Sequence, residues 1–251
     1  MLKTILSSEL GYKTKSYKSG SEGYIYNILD ETKLYKEFDV QTSMKIRENK
    51  KQKIILLEKL IDTTGVIPKI DSLVNDDLAE YLMGYVMEKC SGITLDLACF
   101  DFYKNLIILK KIKTYLEIFK KHNIQYIDFK GNNIIVDETN LETRILDIDN
   151  IRIEEHGVDL VPENFERYII NGGNLDFNGS LFAFNKMTYE LLMLNNGRFY
   201  EADKKVLKFE SSLVSDMPDS IADNEYLVDY IEPKKIKRFY WHLIKKEVHC
   251  R

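Results

Sequence analysis

Hydrophobic and polar positions change rhythm along this chain, from short alternating blocks near the start to helical spacing further on. Tyr17 to Leu34 reads as strand, turn and strand; the turn is K-S-G-S-E-G, with Gly20 and Gly23, and Tyr24-Ile25-Tyr26 follows it. Leu34 to Phe38 is a further short strand carrying Lys36. Val40 to Asp62 is rich in Lys, Glu, Leu and Ile and free of Pro and Gly. It predicts a helix capped by Thr42 or Ser43. Val66 to Ile70 begins another strand, Asn75-Asp76-Asp77 makes a turn, and Leu82 to Glu88 is a core strand running into a turn at Gly92. Asp101 to His122 spaces Leu106, Leu109, Ile112, Leu116 and Phe119 as one face of a long amphipathic helix, with lysines on the solvated side. Gly172-Gly173-Asn174 is a turn, and Ser180 to Leu194 is a strongly apolar, buried helix. Asp216 to Asp223 is a polar loop, and Pro233 to Val248 reads as a final helix with Phe239, Tyr240 and Leu243 inward.

Between the two long helical patterns lies the stretch that carries chemistry, Tyr126 to Asp149. Asp128 stands shortly before Lys130 and Asn133. The apolar run Ile134-Ile135-Val136 follows, then a polar turn from Asp137 to Thr143, then Ile145-Leu146 ending on Asp147. Strand, hairpin and strand of this kind bring Asp128, Asn133 and Asp147 near one another. Two hard oxygen donors and a nearby acceptor for a hydroxyl proton are what Mg²⁺-dependent phosphoryl transfer requires.

The chain has 251 residues, of which 44% are hydrophobic and 30% charged, enough apolar surface for one large or two small domains. The formal net charge of -4 argues against nucleic acid as the main partner. Three scattered cysteines, Cys90, Cys99 and Cys250, fit a reducing compartment better than a disulfide framework, and no C-x-x-C pair points to zinc. The N-terminal apolar run is too short for a signal peptide, and no run reaches membrane-spanning length, so a cytoplasmic protein without a membrane partner is expected.

D-F-K-G-N-N, from Asp128 to Asn133, resembles the D-L-K-x-x-N core of the protein-kinase catalytic loop. Leu146-Asp147-Ile148-Asp149 resembles the segment that carries that family's metal-binding Asp-Phe-Gly, at a fitting spacing. The remaining parts follow in the family's order over about residues 17 to 195. The resemblance implies an α+β, bilobal protein-kinase-like fold. A small β-rich N-lobe would span residues 1–90 and a mainly helical C-lobe residues 91–251. It implies ATP and Mg²⁺ as cofactors. Gly20 and Gly23 would be the second and third glycines of the phosphate loop, and Ile25 would cover the adenine. Lys36 would hold the α- and β-phosphates and pair with a helix glutamate. Glu48, aligned with Met44 and Ile55, is the preferred partner, with Glu58 as runner-up. Met87 would be the gatekeeper, and the backbones of Glu88 and Cys90 would meet the adenine edge. Asp128 would take or orient the acceptor's proton, Lys130 would neutralise the transferring group, and Asn133 and Asp147 would ligate Mg²⁺. Asp176 would stand in for the leading Asp of the family's buried central helix, and Pro162-Glu163 resembles the end of Ala-Pro-Glu.

This sequence departs from the family in several places. Lys18 occupies the first glycine position, and Tyr126 and Ile127 replace the family's His and Arg. Without that Arg, no switch by activation-loop phosphorylation is expected. Asp149 replaces the glycine of Asp-Phe-Gly, either as a further metal-site residue or as the cap of a turn with Asn150. The expected reaction is γ-phosphoryl transfer to a hydroxyl, with protein Ser/Thr preferred as acceptor because Lys130 follows the Ser/Thr kinase pattern. A small-molecule kinase of the aminoglycoside or choline type, or a pseudokinase that binds nucleotide without turnover, stays open.

Overall fold

The computed structural model describes residues 2–11, 13–15, 23–61, 65–98, 100–148, 151–157, 169–170, 174–175, 177–189, 191 and 226–230. The predicted Gly20 turn, Asp149, Pro162-Glu163, Asp176 and the helix of residues 233–248 lie outside them.

The described chain is a mixed α+β protein. Its largest sheet has six strands in the order β1-β5-β6-β4-β3-β2, where β1 is Lys3–Leu6, β2 Thr14–Lys15, β3 Gly23–Asn27, β4 Lys33–Phe38, β5 Ile70–Asn75 and β6 Leu82–Glu88. All neighbours are antiparallel except β1 and β5. Directly opposed residues share a face. Lys36 opposes Ile25 on β3 and Tyr85 on β6, and Leu34 opposes Met87. These side chains, with Phe38, therefore look to the side where the main core lies. The alternate residues, Tyr26, Tyr35 and Val86, look the other way and join Leu10 and Val74 in a small second core. The segment Ser7–Leu10 closes that outer face as a 3-10 turn, tied down by Ser7 Oγ and the Ser8 N–H, each 2.8 Å from Asp77 Oδ1.

Helix α1 spans Met44–Ile61, and Ser43 rather than Thr42 caps it, its Oγ accepting from the Ile46 N–H at 3.4 Å. The buried Arg47 guanidinium donates to the carbonyls of Asp39, Thr42 and Leu82, which pins the start of α1 to β6. After a short strand β7 (Ile93–Thr94), helix α2 runs Phe102–Lys121, with Asp101 as N-cap and His122 as C-cap. Leu106, Leu109, Ile112, Leu116 and Phe119 are all buried, as their spacing predicts. Asn123, at φ 53°, turns the chain out of α2 into β8 (Ile124–Tyr126).

A 3-10 turn at Gly131–Asn133 leads to β9 (Ile134–Val136), which pairs antiparallel with both β7 and β10 (Thr143–Ile145). Strand β11 (Ile151–Ile153) pairs with β8, and β12 (Ile169–Ile170) pairs with β13 (Asn174–Leu175). Helix α3, Phe177–Tyr189, is buried along Ser180–Asn185 and again at Met187 and Thr188; it begins at Phe177, ahead of the predicted start at Ser180. The main core continues across the predicted boundary at residue 90, from Phe38 through Met87 and Leu95 to Phe184. Among the described residues no helix is long and apolar enough to cross a membrane.

Candidate active site

The local sequence between β8 and β9 folds into a tight loop because it closes on itself. The Asn133 N–H donates to the Lys130 carbonyl at 2.9 Å, and the Ile134 N–H to that of Gly131. The buried Asn133 amide then reaches back: its Nδ2 donates to the Asp128 carbonyl at 3.1 Å and to Asp128 Oδ2 at 2.7 Å. Lys130 Nζ lies 2.9 Å from the same carboxylate oxygen. The Asn133 Nδ2 is thus committed to Asp128, and its side-chain Oδ1 is the atom offered elsewhere.

Asp147 arrives beside this loop from β10. The Leu146 N–H donates to the Asn133 carbonyl at 2.7 Å, so the residue before Asp147 is stitched to the residue that ends the loop. Asp147 itself sits at φ 57°, a left-handed conformation that Asp tolerates better than most side chains and that is found disproportionately where function holds a residue in place. Its Oδ1 forms a short ion pair with Lys36 Nζ, joining residues 111 positions apart across the sheet and the hairpin. The Lys36 side chain is only 9% exposed, so the ammonium needs a carboxylate partner to be tolerated there.

Tyr126, read from sequence only as the loss of a family His, proves to be the central strut. It is fully buried, packs edge-on to Phe129 with ring centroids 4.7 Å apart, and donates its hydroxyl to the Leu146 carbonyl at 3.1 Å. The Ser180 hydroxyl of α3 accepts from the Tyr126 N–H at 2.9 Å. Burial pushes the Tyr126 phenol well up, helped by the negative charges of Asp147 and Asp128, while the Asn133 amide and the Lys36 cation pull it back. A polar residue leading an apolar helix was the signal that could have picked out Ser180.

The other candidates divide. Ile25 is half-buried on the face of Lys36, directly opposite it. Gly23 opens β3 at φ 155°, and a Cβ there would sit 2.1 Å from the Glu37 carbonyl oxygen. Close strand approach therefore demands this glycine, whatever its role toward a phosphate. Met87 is buried against Leu34. Glu88 is bound into the sheet, its N–H donating to the Lys69 carbonyl at 2.8 Å and its carboxylate accepting from the Lys69 N–H at 3.2 Å. Cys90 is half-buried, its thiol pushed up to about 11 by desolvation.

Glu48 corrects the sequence reading. Its carboxylate is 59% exposed, lies 3.8 Å from Lys51 and accepts from Gln52 Nε2 at 2.7 Å. It does not face Lys36. The expectation rested on a stripe through Met44 and Ile55, but Met44 is 55% exposed. The inward face of α1 instead runs through Arg47, Lys50, Lys53, Ile54 and Leu57. No ion pair joins Lys36 to Glu48 or Glu58 among the described residues.

Among the described residues no three His, Cys, Asp or Glu side chains converge as a self-sufficient metal cage. Mg²⁺ does not need one, since it is commonly held by one or two protein oxygens together with waters and substrate phosphates. Asn133 and Asp147 supply hard oxygens of that type. A separate open groove lies at the β4–α1 junction, lined by Val40, Thr42, Met44, Tyr81 and Met83 among others. None of the described candidates reaches it. No protein-family model matches the chain, and no curated protein matches it either.

Proposed function

We propose that this chain is an ATP- and Mg²⁺-dependent phosphotransferase of protein-kinase-like, two-lobed architecture that moves a γ-phosphoryl group to a hydroxyl, with protein Ser/Thr as the preferred acceptor. One observation carries the reading: of the residues read from sequence as the parts of such a site, Lys36 is paired with Asp147, Asp128 is paired with Asn133 and Lys130, and the backbone of Leu146, bonded to both Asn133 and Tyr126, joins the two groups. In this reading Asp128 orients the acceptor hydroxyl and takes its proton as the new oxygen–phosphorus bond forms and the bond to the leaving diphosphate breaks. Lys130 balances charge on the transferring group, and Lys36 moves from Asp147 to the α- and β-phosphates. Asn133 and Asp147 would hold Mg²⁺, which when bound would neutralise the phosphate charge. Lys130 favours a protein acceptor through the Ser/Thr kinase pattern.

A nucleotide-binding module without turnover is the second reading, favoured by the outward orientation of Glu48. The test is transfer of labelled γ-phosphate from ATP to protein and small-molecule hydroxyls, with wild type, Asp147→Ala and Lys36→Met. The expected result is Mg²⁺-dependent transfer by wild type and a loss of about 100-fold or more in either variant, the scale of a removed charge-stabilising contact. Nucleotide binding by wild type with no transfer to any acceptor would favour the second reading.

A further inference from the structure

With Glu48 turned outward, α1 makes its contact with the site by another route. Asn49 and Lys53 lie one helical turn apart, on the same side of α1. Both donate to one atom: Asn49 Nδ2 is 3.2 Å and Lys53 Nζ 3.1 Å from the Gly157 carbonyl oxygen. Asn49 also receives a bond at its other end, because His156 Nδ1 lies 3.1 Å from Asn49 Oδ1. An amide that donates through Nδ2 accepts through Oδ1, so this imidazole nitrogen carries the proton. Three hydrogen bonds therefore clamp residues 156 and 157 to the helix.

What they clamp is stiff. Ile153 and His156 exchange two backbone hydrogen bonds, of 3.0 and 2.9 Å, closing a tight turn in which Glu154 takes φ 51°. That turn ends β11, whose Ile151 is registered opposite Tyr126 on β8. Tyr126 holds the Leu146 carbonyl beside Asp147 and stands just before Asp128. Side-chain bonds from α1 to Gly157, the β11–β8 pairing and the Tyr126 hydroxyl thus link α1 to the backbone next to Asp147 and to the strand that leads into Asp128.

We propose that Asn49 and Lys53 are positioning residues for Asp147 and Asp128, acting through the Gly157 carbonyl and β11, so that α1 governs the site from the exit of the metal-binding segment. The inference rests on the phosphoryl-transfer reading. Its test is Mg²⁺ titration of the full chain with a fluorescent ATP analogue, followed by turnover, for wild type, Asn49→Ala, Lys53→Met and Lys53→Arg. Asn49→Ala and Lys53→Met should each weaken Mg²⁺ by about 10- to 100-fold, the usual effect of losing a group that orients a metal ligand. kcat should fall in step, while KM for the acceptor holds. Lys53→Arg should restore most of the loss, because a guanidinium can still donate to the carbonyl. Hydrogen exchange at the Ile153 and His156 amides should quicken in the two clamp-breaking variants. Lys53 is fully buried, so if Lys53→Met fails to fold, the half-buried Asn49 carries the test alone. Wild-type Mg²⁺ affinity in Asn49→Ala, or an Arg variant as impaired as the Met variant, would overturn the clamp while leaving phosphoryl transfer standing. A wild type that binds no Mg²⁺–nucleotide would overturn both.

Discussion

At the scale of single residues, the site is held by hydrogen bonds that each do two things. Asn133 shapes the loop through Nδ2 and presents Oδ1, and Tyr126 fills the core with its ring while its hydroxyl fixes the backbone before Asp147. Tyr126→Phe separates these roles, since the ring stays and only the hydroxyl goes. The part-buried Leu146 carbonyl then loses its partner, a loss of about 1 kcal/mol in stability. If the same bond also holds Asp147 for the reaction, kcat should drop about fivefold, the rate equivalent of that energy. Urea unfolding and turnover on one preparation check both numbers. A stability loss with unchanged kcat would make Tyr126 a core residue and nothing more.

At the scale of elements, the loop from Asp128 to Asn133 depends on how closely it is packed against the turn after β7. A Cβ on Gly131 would lie 2.8 Å from the Asp96 N and 2.9 Å from its Cβ, and the Leu95 N–H beside it is bonded to the Ile134 carbonyl at 2.8 Å. The β7 side is therefore anchored, and the loop must give. Gly131→Ala should cost only about 1 kcal/mol of stability. It should lower kcat by about 100-fold, because a shift near 1 Å in the loop misaligns Asp128 and Asn133. Equal effects on stability and rate would show the whole region moving together. The same elements show what the sequence could reveal. The loop's residues are near neighbours in the chain, so their order alone placed Asp128, Lys130 and Asn133 together. Helix α1 was legible in its extent, since nothing in Met44–Ile61 breaks a helix. Its orientation was not. The residues it buries include Arg47, Lys50 and Lys53, whose aliphatic stems pack while their charges find carbonyls or rings, and a hydrophobic pattern is blind to that kind of burial.

At the scale of the whole molecule, the central strands β4, β5 and β6 of the six-stranded sheet bury residues on both faces, and tyrosines take part in each core. The alternation in β4 predicted a strand, but Tyr35 and Phe38 point to opposite sides, so no single polar face marked which side held the site. Desolvation has a thermodynamic consequence here. It raises the phenols of Tyr35 and Tyr126 above the ordinary value of 10.0, and those of Tyr115 and Tyr226 as well. In the unfolded chain these groups release their protons near pH 10, whereas the folded chain retains them. Above that pH the folded state binds more protons, so stability, undisturbed by these groups at neutral pH, falls as pH rises past 10. Tyr35 and Tyr126, whose side chains are fully buried, contribute most to that fall. Lysines lose charge in the same range, which the variants must separate. Tyr35 suits this best, because its hydroxyl has no hydrogen-bond partner among the described residues. Tyr35→Phe should leave stability at pH 7 unchanged or raise it by up to about 1 kcal/mol, since an unsatisfied buried hydroxyl is removed. It should also cut the alkaline fall by the share of one tyrosine. Urea midpoints from pH 7 to 11 for wild type and Tyr35→Phe measure both. An alkaline fall of the same depth in the variant would assign the effect to lysine deprotonation.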